Sequence, residues 1–262
     1  MIPYIVINQF NLGPLTLYTW GLFIGLGFSA GYLLLLHLVY PARDNISGGA
    51  RKKDLAPERM AGLALAIFFG GVLGAKALPV ALLPGGFFNN VNLLFSQHSG
   101  AMFMGGLVGA IIGGVLYVLL ARLDLWQVAD LLVLPTLLGI AIGRIGCVLI
   151  NDHQGAVTNL PWGILWPDGI IRHPVGIYEA LLGFGLLAVF WWIIKKKFVA
   201  TSGCVALGFL AIYSISRFFL EFIRQSQGLL ADPRWGALSV SQWLVAIIFI
   251  ISLTLLIYKK KC

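Results

Sequence analysis

Charge is what this sequence has least of. Only 11% of its 262 residues are charged, against about 25% in an ordinary soluble domain. So few charges could not cover a soluble surface of this size. Disorder is excluded by the same composition, since 59% of the residues are hydrophobic and 13% aromatic. Cysteine is scarce too. Cys147, Cys204 and Cys262 form an odd, scattered set with no CxxC spacing, which points neither to a disulfide framework nor to a zinc site. The closing KKKC is no CaaX box, because nothing follows the Cys. The first residues lack a basic stretch ahead of an apolar one and a small-residue cleavage site, so a cleaved signal peptide is not expected. No convincing internal repeat is visible, which counts against an inverted-repeat transporter.

What the chain does have is apolar length, with a mean hydropathy of +0.92. Seven segments can each cross a hydrocarbon core as a helix: roughly 16–38, 60–83, 101–121, 126–150, 174–194, 203–223 and 237–258. The expected fold is an all-α integral membrane protein of about seven transmembrane helices, residues 1–262 forming a single polytopic domain. The net charge of +8 reads as basic membrane flanks rather than a nucleic-acid surface. Of the 18 Lys and Arg, 12 lie in alternate connectors. These are Arg43, Arg51, Lys52, Lys53 and Arg59, then Arg122, then Lys195–Lys197, then Lys259–Lys261. The positive-inside rule puts them in the cytoplasm, with the N-terminus outside and the C-terminus inside. Residues 84–100 and 151–173 then become outer-face segments. The first reads as a loop or short interfacial helix. The second is too polar to span, is rich in turn residues, and carries Trp162 and Trp166 suited to an interface.

Six basic residues are left over: Lys76, Arg144, Arg172, Arg217, Arg224 and Arg234. Lys76, Arg144 and Arg217 fall inside apolar spans, as do Asp130, Glu179 and Glu221. An intramembrane charge costs about 2.5–3.5 kcal/mol on insertion scales, so such groups face a bundle interior or a wet cavity and have partners. A structural ion pair and a functional site are both open on these grounds. Depth favours a site. Tyr213, Arg217, Glu221 and Arg224 recur at helical spacing and share one face, and Arg144 also lies toward the outer end of its span. Arginine forks suit phosphate, and the phosphate available at that depth is a lipid headgroup. Glycine-rich stretches such as GGVLGA at 70–75 and MGGLVGAIIGG at 104–114 read as close helix packing.

These residues resemble the prolipoprotein diacylglyceryl transferase family. GRIGCVLINDHQGAVTNLPWGI at 143–164 resembles the family signature GRIGNFxNxExxG and the TDLPWG-like segment after it. RHPVGIYEALL at 172–182 resembles RHPxQLYEALL, and IYSISRFFLEFIRQ at 212–225 resembles the Y-x-x-x-R-F-x-x-E-x-x-R run. GPLTLYTWGLFIGLGF, GGVLGAK, FMGGLVG and SVSQW match weaker segments in the same order. The resemblance implies transfer of a diacylglyceryl group from phosphatidylglycerol to the lipobox cysteine thiol of a prolipoprotein, with glycerol 1-phosphate leaving. It implies no metal or cofactor and no nucleic-acid partner. It places a site at the outer face of a bacterial cytoplasmic membrane. By position, it gives Arg144 the lipid phosphate and Arg217 the leaving phosphate. Tyr213 and Glu221 stand around Arg217. Arg224, Gly155, Gly105, Gly106 and Cys147 fall at substrate-binding positions, and Asp130, His173, Pro174, Tyr178 and Glu179 at structural ones.

The chain departs from the pattern where the family carries acid–base groups. Met104 stands at the family's histidine in SFHGG, and a thioether takes no proton at neutral pH. Cys147 stands at the signature asparagine, Asp152 at the glutamate, Trp20 at the first-span tyrosine, Gly176 at a glutamine and Lys76 at an arginine. Asp152, His153 or His98 could take the thiol proton instead. Three readings remain: the transferase itself, a divergent lipid-binding paralogue with another acceptor or no transferase activity, and a small transporter or channel.

Overall fold

The computed structural model describes residues 1–45, 56–84, 86–95, 102–196, 202–225 and 234–259. Among them, six helices are long and apolar enough to cross a membrane: Thr19–Val39, Pro57–Ala81, Leu125–Ile150, Val175–Lys195, Cys204–Ile223 and Val240–Tyr258. The third expected segment forms a shorter apolar helix, Met104–Leu120. At about 1.5 Å per residue it falls a little short of a 30 Å hydrocarbon core. The chain is an all-α, multi-pass membrane protein. It divides into two compact units, Leu35–Val128 and Met1–Leu34 with Ala129–Cys262.

In the unit Leu35–Val128, helices α2 (Pro57–Ala81) and α4 (Phe103–Leu120) run antiparallel. Between them the chain forms the five-residue α3 (Gly86–Asn90) and a 3-10 turn over Val91–Phe95. Asn90 Nδ2 donates to the Pro84 and Gly86 carbonyls and closes that short helix on itself. The α2–α4 seam is built from glycine. A Cβ on Gly74 would stand 2.2 Å from the Gly105 carbonyl oxygen, and one on Gly109 2.2 Å from that of Gly70. Only backbones without side chains approach this closely, which is how helices associate where lipid provides no hydrophobic drive.

The other unit begins with strand β1 (Ile2–Pro3) and the hairpin β2–β3 (Gln9–Leu12 and Leu15–Tyr18). The first part of α1 (Thr19–Asn45) follows, then α5 (Leu125–Ile150), α6 (Val175–Lys195), α7 (Cys204–Leu220) and α8 (Val240–Tyr258). Gly27 and Gly31 of α1 bring that helix onto the Gly139 and Pro135 carbonyls of α5. Asp130 of α5 caps α7: its carboxylate accepts from Gly203 N at 2.6 Å and Ala206 N at 2.8 Å. This places negative charge on the positive end of the helix dipole. Ser239 and Gln242 form a reciprocal capping box at the start of α8, the structural content of the SVSQW segment.

Candidate functional site

Helix α5 ends where Asn151 takes a left-handed φ of 48°, a conformation asparagine tolerates better than most residues. Asn151 Nδ2 then donates to the Ile5 carbonyl at 2.7 Å, tying the N-terminal segment to this end of α5. The polar segment 151–173 folds into turns and the small sheet β1–β4–β5, with β4 Ile164–Leu165 and β5 Ile171–Arg172. Arg172 pins its hairpin. Both guanidinium nitrogens reach the Asp168 carboxylate at 2.8 Å, and that bond holds the Asp168 carboxyl below its ordinary range. Arg172, one of the six basic residues left over by topology, therefore spends its fork inside the hairpin. Trp162 is half exposed and donates to the Tyr178 hydroxyl at 2.8 Å. Trp166 is buried, 4.8 Å from the Tyr4 ring, with the Arg172 guanidinium 5.7 Å from its own ring centroid.

Inside this end of the bundle lies a chain of ions. Arg144 of α5 approaches Glu179 of α6 at 2.7 Å, and Arg217 of α7 approaches the other Glu179 oxygen at 3.4 Å. Arg217 also pairs with Glu221 at 3.0 Å, and Arg224 lies 3.8 Å from the same Glu221 oxygen. The glutamate side chains are 4% and 3% exposed, while the arginines are 18%, 12% and 11% exposed. Charges buried to this degree must compensate one another. Three guanidinium groups and two carboxylates alternate along this chain, and the Asp152 carboxylate stands nearby, within 4.8 Å of the Cys147 sulfur that Arg144 approaches. Neither approach to Glu179 is aligned as a hydrogen bond, and Arg217 Nη1 has no aligned acceptor. Arg217 Nη1 thus retains a donor for a further anion.

The fold brings Arg144, Arg217, Glu221 and Arg224 into one chain. It adds Glu179, which the sequence places among the intramembrane acids but only as a structural residue. The clue was available, since a carboxylate within an apolar span needs cationic partners. Tyr213 lies one turn before Arg217 on α7, its ring centroid 5.7 Å from that of Phe209. Gly155 serves this end through the backbone. A Cβ there would sit 2.2 Å from the His173 carbonyl oxygen. Gly155 bridges to Arg224, Ala156 N donates to the Ile223 carbonyl, and Gln225 N donates to the Gln154 carbonyl. The segment after α5 thereby fixes Arg224.

Beside the arginines stands a second group. Cys147 Sγ lies 4.0 Å from Arg144 Nη1, and the ligand atoms of Cys147, Asp152 and His153 all lie within 4.8 Å of one another. Burial lowers the proton affinity of the His153 imidazole; Asp152 opposes that shift and Arg224 reinforces it. The ring is therefore mainly neutral at pH 7, and Asp152 Oδ1 approaches its Nδ1 at 3.7 Å. The sequence spacing showed no metal site here; the fold gathers three residues that could hold one. Gly105 and Gly106 belong to the unit Leu35–Val128, where Gly105 forms the seam against Gly74 and Gly106 faces Ala75. Met104 and Lys76 belong to that unit as well. Arg234 donates to the Ala237 carbonyl, and His98 lies outside the described residues.

A family model described as prolipoprotein diacylglyceryl transferase matches residues 8–258 of the chain. Curated proteins named phosphatidylglycerol–prolipoprotein diacylglyceryl transferase are similar over most of its length. One from Geobacter sulfurreducens is 30% identical over 260 residues, covering 97% of this chain and 95% of its own. One from Bordetella parapertussis is 31% identical over 240 residues, covering 89% and 87%. One from Coxiella burnetii is 33% identical over 242 residues, covering 89% and 85%.

Proposed function

The chain belongs to the prolipoprotein diacylglyceryl transferase family, and from that premise we propose how its buried ion chain performs the transfer. The observation that carries the reading is the gathering of Arg144, Arg217 and Arg224 at one end of the bundle, with Arg217 Nη1 aligned on no acceptor. Phosphatidylglycerol carries one negative charge on its phosphodiester, which such guanidinium donors hold. Arg144 holds this phosphate and Arg217 faces the bond to be broken. Glu179 and Glu221 keep the arginines extended and apart rather than competing for every donor. Tyr213 supports the same face of α7, and Gly155 keeps the Arg224 segment in register.

The acceptor is the lipobox cysteine of a prolipoprotein, whose thiol must become a thiolate to attack. His153, neutral and backed by Asp152, takes that proton. The thiolate then attacks the glyceryl carbon that carries the phosphate. A C–S bond forms, the C–O bond breaks, and its electron pair leaves with glycerol 1-phosphate. The leaving phosphate gains a second negative charge as the bond breaks. An arginine aimed at that oxygen therefore binds the transition state more strongly than the ground state. These steps need no metal or cofactor. Cys147 lines the substrate side next to Arg144, and Gly105 and Gly106 stand where the family resemblance puts substrate contacts.

The protein lies in the bacterial cytoplasmic membrane with its basic connectors inside. With Met104–Leu120 as a seventh crossing, the N-terminus lies outside, the C-terminus inside, and the ion chain toward the outer face. The test is a mass-shift assay on a lipobox peptide with purified protein and phosphatidylglycerol. Wild-type protein adds one diacylglyceryl mass and releases glycerol phosphate. Arg144→Ala and Arg217→Ala each lose about 10²–10³-fold in turnover, as when one transition-state donor is removed. Absence of any thioether product with wild-type protein overturns the reading.

A further inference from the structure

We propose that Cys147, Asp152 and His153 form a binding site for a thiophilic divalent metal ion of the zinc class. The three side chains offer a thiolate sulfur, a carboxylate oxygen and an imidazole nitrogen, the donor types that zinc accepts in four-coordinate sites. Their ligand atoms already lie within 4.8 Å of one another. A tetrahedral ion with bonds of about 2.0–2.3 Å requires ligand atoms on the order of 3.3–3.8 Å apart. Asp152 Oδ1 and His153 Nδ1, 3.7 Å apart, meet that spacing as they stand, and rotation of side chains closes the remaining gap to the sulfur.

Two further observations favour an ion here. Asp152 Oδ1 is buried and makes no aligned hydrogen bond, although a buried carboxylate oxygen ordinarily has a partner. Cys147, Asp152 and His153 also line a single pocket between the end of α5 and the start of α6, together with His173. The charges balance. A divalent cation with one thiolate and one carboxylate is neutral, so the nearby guanidinium of Arg144 faces no net charge. Arg144 Nη1 lies 4.0 Å from Sγ. Binding replaces the Cys147 S–H bond with a sulfur–metal bond and releases one proton to solvent.

A bound ion occupies the pair that the transferase reading uses as proton acceptor. Zinc therefore suppresses lipid transfer, a consequence that rests on that reading; the site itself does not. The experiment titrates Co²⁺ into the untagged, detergent-solubilised full chain and follows the thiolate-to-cobalt charge-transfer band in the near ultraviolet. One equivalent saturates the wild-type band, and Zn²⁺ displaces it. Cys147→Ser abolishes the band. Asp152→Asn and His153→Ala weaken binding by at least the roughly 10–100-fold seen when only a supporting group is lost. Arg217→Ala loses transfer but keeps the band, which separates failure of the metal site from failure of the transferase reading. A missing band, or a band unchanged in Cys147→Ser or in both other variants, overturns the site. Transfer that continues unchanged while Zn²⁺ fills the triad overturns the inhibition.

Discussion

The two units of the chain join their helices by opposite means. The seam between α2 and α4 contains no charge at its closest points, only carbonyl oxygens against glycine backbone. The contact joining α5, α6 and α7 at one end of the other unit is made of guanidinium and carboxylate groups with little water around them. The seam is closed at those points, because even one added Cβ would overlap a carbonyl oxygen. The ion chain is not, because Arg217 Nη1 is aligned on no acceptor. In a membrane both arrangements are costly to form by chance, one requiring exact absence of side chains and the other burial of charge. The difference teaches where to look for chemistry: at the contact that is over-supplied with donors rather than the one that is closed.

Substitutions can break or sharpen this contrast. The largest effect is expected from Glu179→Ala, which leaves Arg144 and Arg217 facing each other without their shared carboxylate. Stripping one partner from a buried pair costs about 3–5 kcal/mol, so the melting temperature of the solubilised protein should fall steeply and transfer should go with it. Unchanged melting would mean that the carboxylate does not hold the chain together. Gly74→Val forces the seam apart, with an expected cost of about 1–3 kcal/mol from overpacking. Turnover per folded molecule should then stay near wild type. A loss of turnover well beyond the loss of folded protein would show that the seam does more than join the two helices. The smallest effect is expected from Asp168→Asn. It frees Arg172 from its exposed partner, so hydrogen exchange should rise locally in the 164–172 hairpin while transfer persists. Abolished transfer would show that this hairpin belongs to the site.

Much of this was legible in the residues, and the reasons for the rest are physical. Apolar runs mark helices because lipid leaves the backbone no other way to satisfy its polar groups; six observed spans and the shorter Met104–Leu120 fall where such runs lie. Arg217, Glu221 and Arg224 share a face because their spacing is helical, which sequence alone can tell. Pairing across helices is different. Nothing in the local sequence says that Glu179 bridges Arg144 and Arg217, or that Arg172 turns to Asp168 four residues earlier rather than to a ligand. Those choices are set by which helix ends meet and by the turn after β4. The gathering of Cys147 with Asp152 and His153 was hidden for a similar reason. Their spacing fits no familiar ligand motif, and only the turn after Ile150 brings the two later residues back over the sulfur.

The central claim is that the arginine chain holds a phosphate through its guanidinium donors. The most direct measurement is lipid retention by the purified protein, followed by native mass spectrometry with equal phosphatidylglycerol and phosphatidylcholine in the micelle. Wild-type protein should retain phosphatidylglycerol preferentially, and the Arg144→Gln/Arg217→Gln double variant should lose that preference while remaining folded. Equal retention of the two lipids by wild-type protein, or an unaltered preference in the double variant, would contradict the account.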